Sequence, residues 1–495
     1  MRKDRFLSLT TAAAIATCGV IAQSHAADPR DLPPAPQRGL ASDWLLDSSA
    51  FKAGVFRTDH PHELVLENGL VRRTFRLSPN AATVGLDHQV TGHAVIRAVR
   101  PEAEVTLDGT TYPVGGLVGQ PNHAFLLPEW LETMQTDPAA FQFTGFEVGE
   151  TRERFAWKRV RHHAPDAAWP PKGVHLQMHY RMPGRQDRQS ATQPVHLTVH
   201  YELYDGVPVF CKWLTLRNGG DTTITVDRFS SEILAVAEED SPVETRAGVA
   251  RPLPQALHVE TDFAFGGFNH AHANRHVVHW RPDPQYTSIV NYTRDQPTLL
   301  VVSPDRGPAQ DIAPGGTFES HRTFQLVHDS TCRTRRGLAL KRMYRTIAPW
   351  TTENPLMHHL LDSRPEAVRQ AIDHAAEVGF ETIILSFGSG FNIENDDPAF
   401  LGTWKGVADH ARSKGIDLGS YSLLSSRPVG GGNDVVSPPG EKPTHGTCPA
   451  LTSEWGREYF RKLYRFHRHT GFSVFEHDGS YPGDVDVTPR PPLQK

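Results

Sequence analysis

The chain has 495 residues, of which 38% are hydrophobic and 22% are charged. This is enough apolar material for about three domains, and it excludes a mainly disordered protein. The 51 Lys and Arg residues are scattered singly and the formal net charge is −5, so we expect no nucleic-acid partner. A mean hydropathy of −0.43 and the lack of a long apolar run predict no membrane span.

The first 26 residues have the layout of a secretory signal peptide. Arg2, Lys3 and Arg5 form a basic start, an apolar stretch follows, and the segment ends on small residues. The segment 27–42 is rich in Pro, Asp and Arg, which predicts a disordered leader. We therefore expect an exported protein, secreted or periplasmic.

Cysteines and histidines predict no metal or other cofactor. Cys211, Cys332 and Cys448 are widely spaced, so they form either one disulfide or buried thiols that act as small hydrophobic side chains. A group of four histidines could in principle bind a metal ion, but no carboxylate partner is evident nearby, which favours a solvated or sugar-contacting loop over a zinc site. This group consists of His270, His272, His276 and His279.

From 43 to 332 the chain is a succession of short runs with a period of two residues. Residues 195–203 alternate apolar and polar side chains, turn at Asp205 and Gly206, and return in a second run that ends at Leu216. Similar runs lie around 63–77, 103–113, 223–237 and 297–303. The pattern predicts a large antiparallel β-sandwich domain over 43–332.

The pattern changes after this domain. Residues 333–350 predict a basic helical connector whose helix ends before Pro349. The segment 351–495 then alternates strand and helix four times, with strands predicted at 357–361, 382–385, 416–424 and 472–475.

Each helix of this second segment carries one apolar stripe. In the first, Ser363 and Glu366 have the spacing of a capping box, and Gly379 ends the helix. Four repeats of β-α are typical of the first half of a (β/α)₈ barrel or of part of a doubly wound sheet. The expected fold class is multidomain β and α/β, with a large antiparallel β-sandwich followed by a partial TIM-type (β/α) barrel.

The end of the fourth strand holds the densest polar cluster of this segment. Because strand side chains alternate, Glu476 and Asp478 face the same way while His477 faces the other side. An inward Asp at a strand tip suits a nucleophile or a charge stabiliser in glycoside cleavage. The other interpretation is that Asp478 caps the following turn. Asp484 lies just beyond and is a candidate substrate ligand.

Further candidates follow the first and second strands. Asp362 is either a ligand of sugar hydroxyls or part of the helix cap. Ser386 and Ser389 belong to a small polar loop, 386–392, whose flanking phenylalanines could stack on a sugar or whose glycines could simply turn the chain. The loop does not fit the nucleophile elbow G-x-S-x-G.

Three stretches resemble one known family. Residues 201–218 (YELYDGVPVFCKWLTLRN), residues 322–355 (RTFQLVHDSTCRTRRGLALKRMYRTIAPWTTENP) and the strand ending at Asp478 resemble the α-galactosidase-like enzymes of glycoside hydrolase family 36. The resemblance implies a β-sandwich followed by a (β/α)₈ barrel and retaining hydrolysis of an α-linked sugar. It also implies that the nucleophile, an Asp at the tip of the fourth barrel strand, is Asp478.

The chain departs from the family pattern at three places. Glu476 stands where the family has Lys, and residues 386–389 (SFGS) stand where α-galactosidases carry paired Asp residues. The family places its acid/base carboxylate on the sixth strand. The segment 351–495 has 145 residues, whereas a barrel usually needs about 250, so we expect a chain truncated after the fourth strand.

The sequence therefore predicts an exported retaining α-glycosidase that acts on α-linked sugars in oligo- or polysaccharides. Asp478 would attack the anomeric carbon, without a cofactor. The expected substrate-binding residues are Glu476, Asp362, Ser386, Ser389 and Asp484. The alternative is a catalytically impaired, truncated homologue that at most binds carbohydrate.

Overall fold

The computed structural model describes residues 28–36, 42–159, 167–183, 195–240, 242–244, 246, 248–263, 274–443, 446–478 and 485–491. The predicted signal peptide lies outside these residues, as do His270, His272 and Asp484. No helix in these ranges is both long and apolar enough to cross a membrane.

Two larger antiparallel sheets come mostly from the alternating runs. The five-stranded sheet has the order β1-β2-β3-β4-β5, with strands Gly54–Arg57, Glu63–Glu67, Val71–Arg76, Ala82–His88 and His93–Ala94. The seven-stranded sheet has the order β15-β20-β12-β11-β10-β9, and β19 also pairs with β12. Its strands are Gln142–Glu150 (β9), Gly173–Arg181 (β10), His196–Tyr204 (β11), Val209–Arg217 (β12), Leu257–Thr261 (β15), Thr317–Glu319 (β19) and Thr323–Val327 (β20).

Two smaller antiparallel sheets complete this part of the chain. One has the order β18-β13-β7-β8, with strands Gln310–Ile312, Ile224–Ser230, Ala103–Leu107 and Thr110–Val114. The other has the order β16-β17-β14-β6, with strands Val278–Arg281, Leu299–Val302, Glu232–Val236 and Ile96–Ala98. The predicted hairpin from β11 to β12 is present and pairs Leu203 with Phe210.

One hydrophobic core is shared by all four antiparallel sheets. Apolar side chains from alternate strand positions meet in it, among them Leu64 and Phe75 of the first sheet and Leu197 and Val199 of the second. Burial of this apolar area is the main favourable term in folding, at about 25 cal/mol per Å². The sheets therefore form one packed body rather than separate hairpins.

A buried ionic cluster crosses this core. Glu232 accepts hydrogen bonds from Arg73 at 2.7 Å, from Lys212 at 2.6 Å and from Gln325 at 2.6 Å, so four strands of three sheets converge on one carboxylate. The positive charges of Arg73 and Lys212 hold the pKa of Glu232 at about 2, against the effect of burial. Removal of one partner of such a cluster leaves an uncompensated buried charge, which costs about 3–5 kcal/mol.

The connector folds as helix α1, Arg333–Ile347, followed by a short 3₁₀ turn at Pro349–Thr352. Its buried residues Ala339, Met343 and Ile347 pack in a separate apolar cluster with Trp213 of β12 and Phe324 of β20. The helix thus lies against the seven-stranded sheet, and its Arg335 binds the carboxylates of Asp43 and Asp329.

The last part of the chain is a parallel β/α unit. Its sheet has the order β21-β22-β23-β24, with strands Met357–Leu360, Thr382–Leu385, Asp417–Leu423 and Val474–Asp478. The intervening helices are Pro365–Val378 (α2), Pro398–Ser413 (α3) and Glu454–Thr470 (α4). The predicted fold class, antiparallel β followed by parallel β/α, is confirmed.

The helices pack on one face of this sheet through the predicted apolar stripes. Val368, Trp404 and Phe466, one from each helix, belong to a single core with Ile383 and Leu385 of β22. All the parallel strands therefore have one helix-covered face, and their other face carries the alternate side chains.

Two local predictions for this unit are wrong. Ser363 does not cap α2: the N-cap is Arg364, without a side-chain hydrogen bond, and the Ser363 hydroxyl bonds to the carbonyl of Ser389 instead. The fourth strand spans Val474–Asp478, so the predicted bounds 472–475 are wrong, whereas the strand end at Asp478 that the resemblance uses is present in the pairing of Leu423 with Asp478. Polar strand tips lack the apolar signal that marks a strand in a sequence.

Candidate active site

The carboxyl ends of the four parallel strands form one edge, as they do in every α/β sheet. Backbone pairing places Tyr421 of β23 opposite Glu476 of β24, and Leu423 opposite Asp478. On the other side of β23, Ser420 pairs with Leu385, so Ser386 comes next in the same row. Three neighbouring strands therefore present polar side chains at one level.

Glu476 is held by a serine two strands away. The Ser386 hydroxyl donates a hydrogen bond to Oε2 of Glu476 at 3.0 Å, and Ser386 is only 8% exposed. Two of the residues predicted to bind substrate are thus brought together, although 90 positions separate them in the chain. The other oxygen of the Glu476 carboxylate is not used in this bond.

Asp478 is held by a tyrosine of the neighbouring strand. The Tyr421 hydroxyl donates a hydrogen bond to Oδ2 of Asp478 at 2.8 Å. The backbone carbonyl of Asp478 accepts the amide of Leu424 at 2.7 Å, which ties the end of β24 to the end of β23. The competing prediction, that Asp478 caps the next turn, concerns residues 479–484, which lie outside the described part of the chain.

The alternation predicted for this strand is present. The rings of Phe475 and His477 lie 5.4 Å apart, and Phe475 packs against the helix-side core near His467. Glu476 and Asp478 therefore point away from the helices, toward the face that a barrel would enclose.

A glycine allows the strands to approach below these carboxylates. A Cβ atom on Gly419 of β23 would lie 2.8 Å from Cγ1 of Ile384 and 3.1 Å from Cβ of Val474. Ile384 and Val474 thus close over the position where the middle strand has no side chain. They form an apolar base beneath the polar row.

Phe387 adds an exposed aromatic ring at this edge. It is 64% exposed, and its ring centroid lies 5.7 Å from that of Tyr421. Phe391 instead packs in the core, 4.6 Å from Trp404 and 5.8 Å from Phe472. Of the two phenylalanines that flank the loop, only Phe387 is therefore available to a ligand.

The structure places Ser389 and Asp362 in two adjoining turns. Ser363 Oγ donates a hydrogen bond to the carbonyl of Ser389 at 2.8 Å, which joins the loop after β22 to the loop after β21. Asp362 is engaged by Arg364, whose side chain lowers the pKa of this exposed carboxyl to about 2. Both residues lie at the carboxyl edge, but among the hydrogen bonds of the described residues none joins either of them to Glu476 or Asp478.

The glycine loop after β23 is folded on a carboxylate. Asp434 accepts the amides of Val429 and Gly430, both at 2.8 Å. The glycines at 430–432 all have φ between 62° and 77°, which side-chain-bearing residues rarely adopt. The two hydrogen bonds to Asp434 give this segment a defined path.

The histidine-rich stretch has a carboxylate partner that its local sequence does not reveal. His276 Nδ1 lies 2.9 Å from Asp305, and His279 Nε2 lies 3.4 Å from the same carboxylate. Asp305 is distant in sequence, which is why the pattern alone missed it. No group of three or more His, Cys, Asp or Glu residues among the described positions has the arrangement of a metal site.

Tyr421 is the contact that sequence reasoning missed. It lies in a predicted strand, at an alternate position facing the same side as Gly419, and a tyrosine near a strand end could have been noted on that basis. Together, two carboxylates, two hydroxyl donors and an exposed ring offer both hydrogen-bond acceptors and an apolar surface. Such a set suits a ligand with many hydroxyl groups and one apolar face.

The fold and this edge define a β-sandwich protein with a parallel β/α unit that carries a carboxylate site. No family model matches the chain, and no curated protein matches it. Solved structures with low similarity include α-galactosidases. That of Lactobacillus brevis is 11% identical with a TM-score of 0.48, covering 83% of this chain and 63% of its own.

Two further neighbours come from Geobacillus stearothermophilus. The GH36 α-galactosidase AgaB is 11% identical with a TM-score of 0.47, covering 89% of this chain and 68% of its own. AgaA is 11% identical with a TM-score of 0.44, covering 85% of this chain and 73% of its own. The chain thus spans less than two thirds of the length of the Lactobacillus brevis enzyme.

Proposed function

We propose that this protein is a retaining α-glycosidase of the α-galactosidase-like type, with Asp478 as the nucleophile. The observation that carries the proposal is the hydrogen bond from Tyr421 to Asp478 at the carboxyl edge of a parallel β/α sheet. Its position agrees with the sequence resemblance of the strand that ends at Asp478.

In this mechanism, one oxygen of Asp478 attacks the anomeric carbon while Tyr421 holds the other. Glu476, oriented by Ser386, would accept hydrogen bonds from sugar hydroxyls, and Phe387 would stack on the apolar face of the ring. A retaining reaction also needs a second carboxyl group about 5–5.5 Å from the nucleophile, to protonate the leaving group. Asp362, Ser389 and Asp484 complete the proposed sugar-binding set.

A mechanism-based 2-fluoroglycoside tests the nucleophile. We expect mass spectrometry of the digested protein to find the label on Asp478, and Asp478→Asn to abolish labelling and reduce turnover by at least about 10³-fold. Asp409→Asn, an exposed carboxylate on α3, is the matched control and should label like the unchanged protein. Labelling of another residue, or full turnover by Asp478→Asn, would contradict the assignment.

A pair of substrates separates the enzyme from the alternative, a homologue that binds sugar without normal turnover. Loss of acid catalysis typically costs 10²–10⁴-fold with ordinary leaving groups, but little with activated aryl glycosides. Hydrolysis of both substrate types supports a complete enzyme. Hydrolysis of the aryl glycoside alone supports an impaired one.

Export is part of the same proposal and rests on the basic-apolar-small pattern of residues 1–26. N-terminal sequencing of the protein from the culture medium or the periplasm tests it. We expect a mature N-terminus at about Ala27, and a protein retained in the cytoplasm with Met1 in place would contradict export.

A further inference from the structure

A cleft lies between the two four-stranded antiparallel sheets, in a part of the molecule that the proposed catalytic site does not use. The sheets meet where β13 continues into β14 through the buried Ser231, and they diverge from there. The space between them measures about 650 Å³. Sites for small ligands typically have 300–1,000 Å³, so this cleft has the size of a binding site.

The inner walls of the cleft are apolar. Phe229 and Ile233 are buried beside it, at the point where the two sheets meet, and Leu299 and Val301 of β17 are partly exposed toward it. Leu117 closes it from the loop that follows β8. A ligand would thus bring an apolar surface against these side chains.

One end of the cleft is held rigid by an ion pair. The carboxylate of Asp283 accepts hydrogen bonds from both Arg97 and Arg100 at 2.6 Å, and its side chain is 1% exposed. Arg100 also lies 3.0 Å from Nδ1 of His123. Because these groups bond to one another, this end is preorganised, and its two guanidinium groups and one carboxylate leave a net charge of +1.

Other lining residues are charged and have no partner among the described residues. Glu104 and Thr106 project from β7, Arg228 from β13, and Arg281 from β16 of the other sheet. Across the described ranges, the side chains of Glu104, Arg228 and Arg281 make no ion pair or hydrogen bond. Glu104 is half-buried, and burial raises the pKa of its carboxyl.

An unpaired, half-buried carboxyl is costly unless something outside the chain bonds to it. Donors from the guanidinium groups of Arg228 and Arg281 and acceptors from Glu104, Asp137 and Asp305 surround the apolar walls. These two positive and three negative charges cancel against the net +1 of the Asp283 end, which disfavours a strongly anionic ligand and favours a neutral one with both donors and acceptors.

We propose that this cleft binds a neutral saccharide of one or two sugar units, independently of the site at Asp478. The hydroxyl groups would bond to Glu104, Arg228 and Arg281, and the apolar face of a ring would lie on Leu299 and Val301. The two sites share no strand, so this proposal does not require that the protein hydrolyse glycosides.

The test uses the full chain with methyl α-galactoside and maltose as probes, and galacturonate and inorganic phosphate as anionic comparisons. We expect the neutral sugars to protect the amides of 115–123, which line the cleft, in hydrogen-exchange mass spectrometry. Arg228→Ala should weaken the affinity measured by calorimetry at least about tenfold. Arg217→Ala, another exposed arginine on a sheet, should bind like the unchanged protein.

Asp478→Asn separates this proposal from the catalytic one. If the cleft binds sugar, protection of 115–123 persists in Asp478→Asn, whatever the outcome of the labelling experiment. Protection confined to the strands around Tyr421 and Asp478, no protection of 115–123 by either neutral sugar, or tighter binding of the anions would each overturn the proposal.

Discussion

The hydrogen bond made by Tyr421 gives the most specific prediction for a single residue. Its hydroxyl bonds to Asp478 at 2.8 Å, and a hydrogen bond to a charged group contributes about 1.5–3 kcal/mol. Tyr421→Phe should therefore lower kcat/KM on an activated aryl α-glycoside by about 10–100-fold and lower the free energy of unfolding by at most about 1.5–3 kcal/mol. Steady-state kinetics and urea denaturation measure the two quantities.

Tyr464→Phe is the matched control, since this exposed tyrosine of α4 stacks on Phe460 and lies on the helix side of the sheet. It should retain the kcat/KM of the unchanged protein. Equal values for Tyr421→Phe and Tyr464→Phe would show that the bond to Asp478 has no part in turnover.

At the scale of elements, the helices of the β/α unit differ in how their N-termini are capped: α3 has a side-chain cap and α2 has none. The Asp397 carboxylate accepts the amides of Ala399 at 2.7 Å and Phe400 at 3.2 Å, at the first turn of α3. Asp397→Ala should lower the free energy of unfolding by about 1 kcal/mol, as measured by chemical denaturation. Asp397→Asn keeps an oxygen in the same place, so this variant should lower the free energy of unfolding by only a few tenths of 1 kcal/mol.

Ser363→Ala gives the complementary result at α2. Because Ser363 bonds to the carbonyl of Ser389 and not to the helix, its loss should loosen the loop after β22 without uncapping α2. Hydrogen exchange of 386–392 should become faster while that of 366–369 stays the same. Faster exchange at the start of the helix would contradict this interpretation and support the capping box of Ser363 and Glu366.

At the scale of the whole molecule, stability should depend on pH through buried histidines. Burial lowers the pKa of His88, His175 and His328 to about 4 and that of His200 to about 3. In the unfolded chain these rings have a pKa of about 6.5, so below that pH the unfolded state binds protons that the folded state does not.

The free energy of unfolding should therefore fall as the pH falls from about 6.5 to 4, by about 1.4 kcal/mol per pH unit for each histidine. Denaturation curves at a series of pH values measure this slope. His200→Gln should reduce this slope by the contribution of one histidine, about 1.4 kcal/mol per pH unit. His469→Gln, on the exposed face of α4, should leave the slope unchanged. A stability that is constant between pH 7 and 5 would contradict neutral buried rings.

The sequence by itself determined the order of elements and the faces that they bury, because local periodicity reports which side chains avoid water. It separated the antiparallel strands from the parallel β/α unit, and it placed Glu476 and Asp478 on one face of a strand. It failed at Ser363, because the hydroxyl of this residue bonds to the carbonyl of Ser389, on another loop, and not to the helix.

Only the tertiary structure decided which distant residues meet. The bonds from Ser386 to Glu476 and from Tyr421 to Asp478 join positions 90 and 57 residues apart, and Glu232 gathers Arg73 and Lys212 from other strands. The cleft beside Glu104 likewise exists only because two sheets diverge. Such contacts depend on how sheets twist and pack around a core, and no local pattern along the chain records that arrangement.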